Sequence, residues 1–218
     1  MSVVGQSKIA AGDRAVLIRD AFRVEYITIA WMAIEAAVAI ASAIEADSLT
    51  LLAFGIDSLI ELASAGLLVW RLSVELRRGQ TFAESAERRA ARIGGALLFA
   101  LAIYVIAGAG WKLWTQQGAE FSLSGLLLCV LAIPIMYFLS RRKLRLAEAL
   151  GSRALRADAV ESITCGWLSF VVVAALLAQL VIGTWWVDAA ASLGIVWFLL
   201  REGREAWEGG ECCDRHPE

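Results

Sequence analysis

Histidine is almost missing from this 218-residue chain, and its one copy, His216, lies at the far end. The apolar body therefore has no imidazole to serve as a general base. Cys165, buried in an apolar run, has no partner to activate it as a nucleophile, so covalent catalysis is not expected. A disulfide framework is missing as well. Cys212 and Cys213 are adjacent, while Cys129 and Cys165 fall in separate apolar runs, so all four are expected as free thiols. Residues 1–20 contain no long apolar region followed by a small-residue cleavage site, which excludes a secretory signal peptide. The net charge is only −2, which leaves no electrostatic footprint for nucleic acid.

What is present is apolar surface. Hydrophobic residues make up 59% of the chain and mean hydropathy is +0.66, against about 45–50% apolar residues in soluble domains. The apolar runs show no strand-like alternation, and within lipid only helices or closed barrels satisfy their own backbone polar groups. About 20 residues are needed to cross a hydrocarbon layer of about 30 Å. On that scale the sequence predicts spans near Ile27–Ile44, Leu49–Trp70, Ile93–Trp111, Leu123–Leu139, Val160–Ile182 and Trp185–Leu200. The expected fold class is all-α, a polytopic membrane protein with six transmembrane helices. Residues 1–206 form the membrane domain and 207–218 a short tail.

Orientation follows from the basic residues, which collect on the cytoplasmic side of short loops. Of the 20 Lys and Arg residues, all but Lys112 fall in the N-terminal segment, the loops after spans two and four, or the C-terminal segment. With six spans both termini are then cytoplasmic, and the short outer loops and close spacing fit a bacterial inner membrane. The basic loops are accounted for by topology alone.

Ionisable groups in a bilayer core are costly, about 2.5 to 3.5 kcal/mol each on insertion scales, and such groups usually serve a function. Two pairs stand out at helical i, i+4 spacing: Asp57 with Glu61 in span two, and Glu161 with Cys165 in span five. Facing each other, these ridges would supply four oxygen and sulfur donors, a set suited to a tetrahedral divalent ion of the zinc type and acceptable to other transition metals. Helix rise puts the two pairs about 7.5 Å apart in depth when measured from Arg71 and Arg156, an offset that an extended fifth helix would absorb. The competing reading is that the four residues are polar glue between helices.

The segment S-L-T-L-L-A-F-G-I-D-S-L-I-E from Ser48, the segment R-A-D-A-V-E-S-I-T-C from Arg156 and W-W-V-D-A-A-A-S-L-G from Trp185 resemble helices two, five and six of the cation diffusion facilitators. The resemblance implies a six-helix domain, commonly a homodimer, with Asp57, Glu61, Glu161 and Cys165 at the positions of the metal ligands. It also implies a divalent metal cation as transported substrate, proton-coupled export by alternating access, and no prosthetic group. Metal and protons compete for the same ligands, which is sufficient for antiport.

The chain departs from the family pattern in three ways. Glu161 and Cys165 replace the usual His and Asp on the fifth helix, and Glu61 replaces an Asp. Carboxylates favour manganese- or iron-like ions while sulfur favours zinc or cadmium, so the ion stays open. The family's usual cytoplasmic metal-binding domain is not expected after helix six. Cys212, Cys213 and His216 are either a metal-collecting tail or an unstructured terminus. Glu35 lies near the depth of Glu61 and is either a proton carrier or a hydrogen-bonded neutral acid. Glu45, Asp47 and Asp188 are expected at the outer interface. Ala63, Ser64, Gly66, Gly94, Gly95, Gly108 and Gly110 would allow close helix approach, and Pro134 would soften helix four. A membrane protein that senses or stores metal without transporting it is the alternative function.

Overall fold

The computed structural model describes residues 11–78, 84–150 and 152–208, all within six helices and their connections. They are α1 (Ala11–Ala46), α2 (Leu49–Arg78), α3 (Glu84–Thr115), α4 (Leu123–Leu150), α5 (Arg153–Ile182) and α6 (Val187–Glu208). Several run beyond the apolar stretches, because a helix satisfies its own backbone whether its side chains meet lipid or water. The tail cysteines Cys212 and Cys213 and His216 lie outside the described residues.

Five of the helices, α1 to α5, are long and apolar enough to cross a membrane. The sixth carries Asp188 at one end and Arg201, Glu202, Arg204 and Glu205 at the other, so its apolar stretch is only Ala189 to Leu200. Large apolar side chains cover the outside of the bundle, among them Trp114 (86% exposed) and Val181 (83% exposed). A protein surrounded by water does not carry such a belt, whereas a bilayer accepts it.

Lipid provides no hydrophobic drive for helices to associate, so close packing must hold the bundle. The interior is accordingly rich in alanine: Ala21, Ala36, Ala39, Ala43, Ala53, Ala102 and Ala109 are all buried, with Phe54, Leu51, Met136 and Leu168 filling the gaps. Helices α3 and α6 approach closely. A Cβ on Gly95 would sit 2.7 Å from the carbonyl oxygen of Gly203, so only glycine permits this crossing. Ala63, Ser64, Gly66 and Gly110 instead point outward. Helix α4 continues through Pro134.

Helix α2 is central, packed against α1, α3, α5 and α6. Its start is fixed by α6. Ser48 caps α2 by accepting the Leu51 N–H at 3.2 Å and donates its own hydroxyl to Asp188 Oδ1 at 2.7 Å. The Asp188 carboxylate also accepts the N–H groups of Leu49 (2.8 Å) and Thr50 (3.3 Å). An anion is thus placed at a helix N-terminus, where the backbone donors would otherwise have no partner. Asp188 is buried and structural rather than a loose interfacial group. At the same end, Lys112 bonds the carbonyl and the carboxylate of Asp47, which turns the chain from α1 into α2 with a φ of 48°.

Candidate metal site

The Asp188 clamp has a consequence deeper in the bundle. Helices α2 and α6 start side by side and run the same way, so their residues descend in step. Glu61 lies about 18 Å below Leu49, and Glu202 about 21 Å below Asp188, a difference that a glutamate side chain spans. Asp57, Glu61 and Glu202 do come together: one carboxylate oxygen from each lies within 4.8 Å of the others. The glycine crossing next door, at Gly203, holds this part of α6 close to the bundle.

These acids lack what buried acids normally have. Asp57 is 1% exposed and Glu61 8% exposed. Asp57 Oδ1, both carboxylate oxygens of Glu61 and Glu202 Oε1 are buried with no hydrogen-bond partner. A buried polar group left unpaired carries the full penalty of lost hydration, so native proteins keep few of them. Three acids brought together with four such oxygens among them are the arrangement a cation would complete. Two oxygens bound to one dication at about 2.1 Å cannot be more than about 4.2 Å apart, so the cluster needs to contract by only a fraction of an ångström.

The α5 pair lies beside this cluster. Glu161 is half-buried and within electrostatic range of Asp57, Glu61 and Glu202. Cys165 is buried and near Asp57 and Glu61, but its thiol donates to Glu35 Oε1 at 3.4 Å. Neither has its ligand atom within the 4.8 Å grouping. Glu35, fully buried on α1, also accepts from Ser58 Oγ (2.9 Å) and Trp31 Nε1 (2.8 Å). It is a satisfied neighbour of the cluster, at the depth its position on the first span suggests.

Sequence reasoning brings Asp57 and Glu61 to the site and omits Glu202, because Arg201 marks the end of the apolar run. The signal that finds it is the register set by Asp188. A second buried polar group was also hidden. Lys143 on α4, one of the basic residues assigned to a cytoplasmic loop, is fully buried. Its ammonium bonds Asp158 of α5, Glu25 of α1 (3.3 Å) and Ser162 (3.3 Å).

Residues 26–209 match the family described as the cation efflux transmembrane domain. The chain is also 29% identical over 160 residues to an uncharacterized transporter of Synechocystis sp., an alignment covering 72% of this chain and 52% of that protein. The chain thus spans about half the length of the curated relative it matches.

Proposed function

This chain belongs to the cation efflux family, and from that premise we propose that it moves a divalent metal cation out of the cytoplasm in exchange for protons, with the ion held on Asp57 and Glu61. The observation that carries the reading is the set of unpartnered carboxylate oxygens buried between α2 and α6. Structural acids in a membrane interior find a donor or a cation, as Glu35 and Glu25 do. Acids kept without either, in a family that transports cations, are kept for the cation. Glu161, on the adjoining face of α5, is the next oxygen donor.

Exchange with protons follows from the same chemistry. A carboxylate must be deprotonated to hold a metal, so metal and protons compete for the same oxygens. Alternating access requires the site to open to each side in turn. The short connection from α1 to α2 and the Asp188 clamp tie one end of the bundle together, so the larger separation belongs to the other end, where the basic residues gather.

We take α6 as the sixth crossing, since it starts beside α2 and reaches the depth of Glu61 alongside it. Both termini are then cytoplasmic, and the host is a bacterial inner membrane. Residues 1–206 act as the transport domain, with 207–218 as a cytoplasmic tail and a homodimer as the working assembly.

The test is flux into proteoliposomes, using a panel of divalent ions and an imposed pH gradient. The native protein moves at least one ion and moves protons the opposite way, and Asp57→Ala does neither. A panel in which no ion moves would overturn transport and favour a protein that holds metal without carrying it.

A further inference from the structure

Resting on that reading of the site, we infer that Glu202 of α6 is a direct ligand, and that the ion is held by oxygen alone, so the substrate class is a hard dication of the manganese or iron(II) type. Three observations combine. Glu202 is the residue whose carboxylate comes within 4.8 Å of both Asp57 and Glu61. Its Oε1 is buried without a partner, as are Asp57 Oδ1 and both oxygens of Glu61, so each of the three gathered acids, on two helices, carries a bare acceptor. The soft donor nearest to them is already engaged: the Cys165 thiol donates a hydrogen bond to Glu35 Oε1, and the same carboxylate also accepts from Ser58 and Trp31.

Placement of the thiol decides the ligand class. Cys165 Sγ lies outside the 4.8 Å grouping of Asp57, Glu61 and Glu202 and is turned toward Glu35 Oε1 at 3.4 Å. There it serves Glu35 as a hydrogen-bond donor. The site then offers only carboxylate oxygen, the ligand chemistry of manganese and similar hard ions, whereas a thiolate would select zinc or cadmium.

Glu202 also has a geometric role. Asp57 and Glu61 share one helix and can approach an ion from one side only. Glu202 comes from the neighbouring helix and adds a donor from a second element, while Glu161 on α5 is within electrostatic range of all three.

The experiment is equilibrium binding of manganese(II), zinc(II) and cadmium(II) to the purified full chain in lipid nanodiscs, comparing native protein with Glu202→Gln and Cys165→Ser. A parallel proteoliposome flux assay uses the same ions. Native protein is expected to bind manganese within about tenfold of zinc, because without a thiolate only the ordinary rise along the divalent series separates them. Glu202→Gln weakens manganese binding by more than about tenfold, at least the loss that follows removal of a residue supporting a ligand. Cys165→Ser leaves both metals within about threefold, and cadmium produces no thiolate charge-transfer band in the ultraviolet.

Glu202→Gln keeps the side chain's size, and its thermal unfolding without metal shows whether the fold is retained. If it is not, the cadmium band and Cys165→Ser decide the question. A cadmium–thiolate band that disappears in Cys165→Ser, or manganese binding unchanged in Glu202→Gln, overturns the inference while flux in the native protein leaves the transport reading standing. Absence of binding and of flux for every ion overturns both.

Discussion

Two buried polar groups in this bundle have opposite character. Around Lys143, a fully buried ammonium is shared by Glu25, Asp158 and Ser162, joining α1, α4 and α5. Around Asp57, three acids from α2 and α6 face one another with no cation and with oxygens that bond nothing. The first group already holds a cation among its acids, although the Glu25 oxygens accept no hydrogen bond, and the second holds none. In a membrane interior, where every unpaired charge is costly, acids paired with a built-in cation mark a structural role and acids gathered without one mark the place for a ligand.

The most forceful way to break the comparison is to remove an acid from each group. Asp57→Ala should lower cation flux by more than about 100-fold, beyond the range seen when only a supporting residue is lost. It should leave thermal unfolding in detergent unchanged or slightly raised, because no internal bond disappears. Lys143→Met should do the reverse in kind: breaking a buried pair from one side costs about 3–5 kcal/mol, seen as a lower unfolding temperature and reduced yield of folded protein. Equal destabilisation by the two variants would erase the distinction.

A finer test concerns the register that brings Glu202 to Asp57. Asp188→Ala removes the carboxylate that holds the first turn of α2, a loss of about 2 kcal/mol for hydrogen bonds to a charged group. Faster amide exchange at Leu49, Thr50 and Leu51 should accompany weaker metal binding, although Asp188 is about 20 Å from the acids. Gly203→Ala acts on the same alignment from the α3 side. Its added methyl group meets Phe99 and the Gly95 carbonyl oxygen at 3.2 and 3.3 Å, and should cost about 1–3 kcal/mol. The smallest change is expected from Cys165→Ser, which preserves a donor for Glu35 and should alter manganese flux by less than about threefold.

Much of the fold was legible because lipid imposes a simple grammar. Apolar runs such as Leu123–Leu139 can only be helices, and Asp57 and Glu61 stand out inside one of them at the spacing of a helical turn. What escaped was set by contacts between helices. Lys143 reads as a loop residue because arginines surround it, yet α4 continues past its apolar stretch and turns that lysine inward toward Glu25 and Asp158. Glu202 reads as the polar edge of α6 because Arg201 precedes it. Only the bond network of Asp188, invisible in one dimension, reveals that it descends to the level of Glu61. Cys165 was legible as a buried polar group on the correct helix, but not the fact that its thiol donates to Glu35.

The most direct measurement is equilibrium dialysis of a divalent ion against the native chain and the Asp57→Asn, Glu61→Gln double variant, both in nanodiscs and both shown to be folded. The account predicts saturable binding by the native chain and none above the lipid background in the double variant. Undiminished binding by the double variant would contradict it.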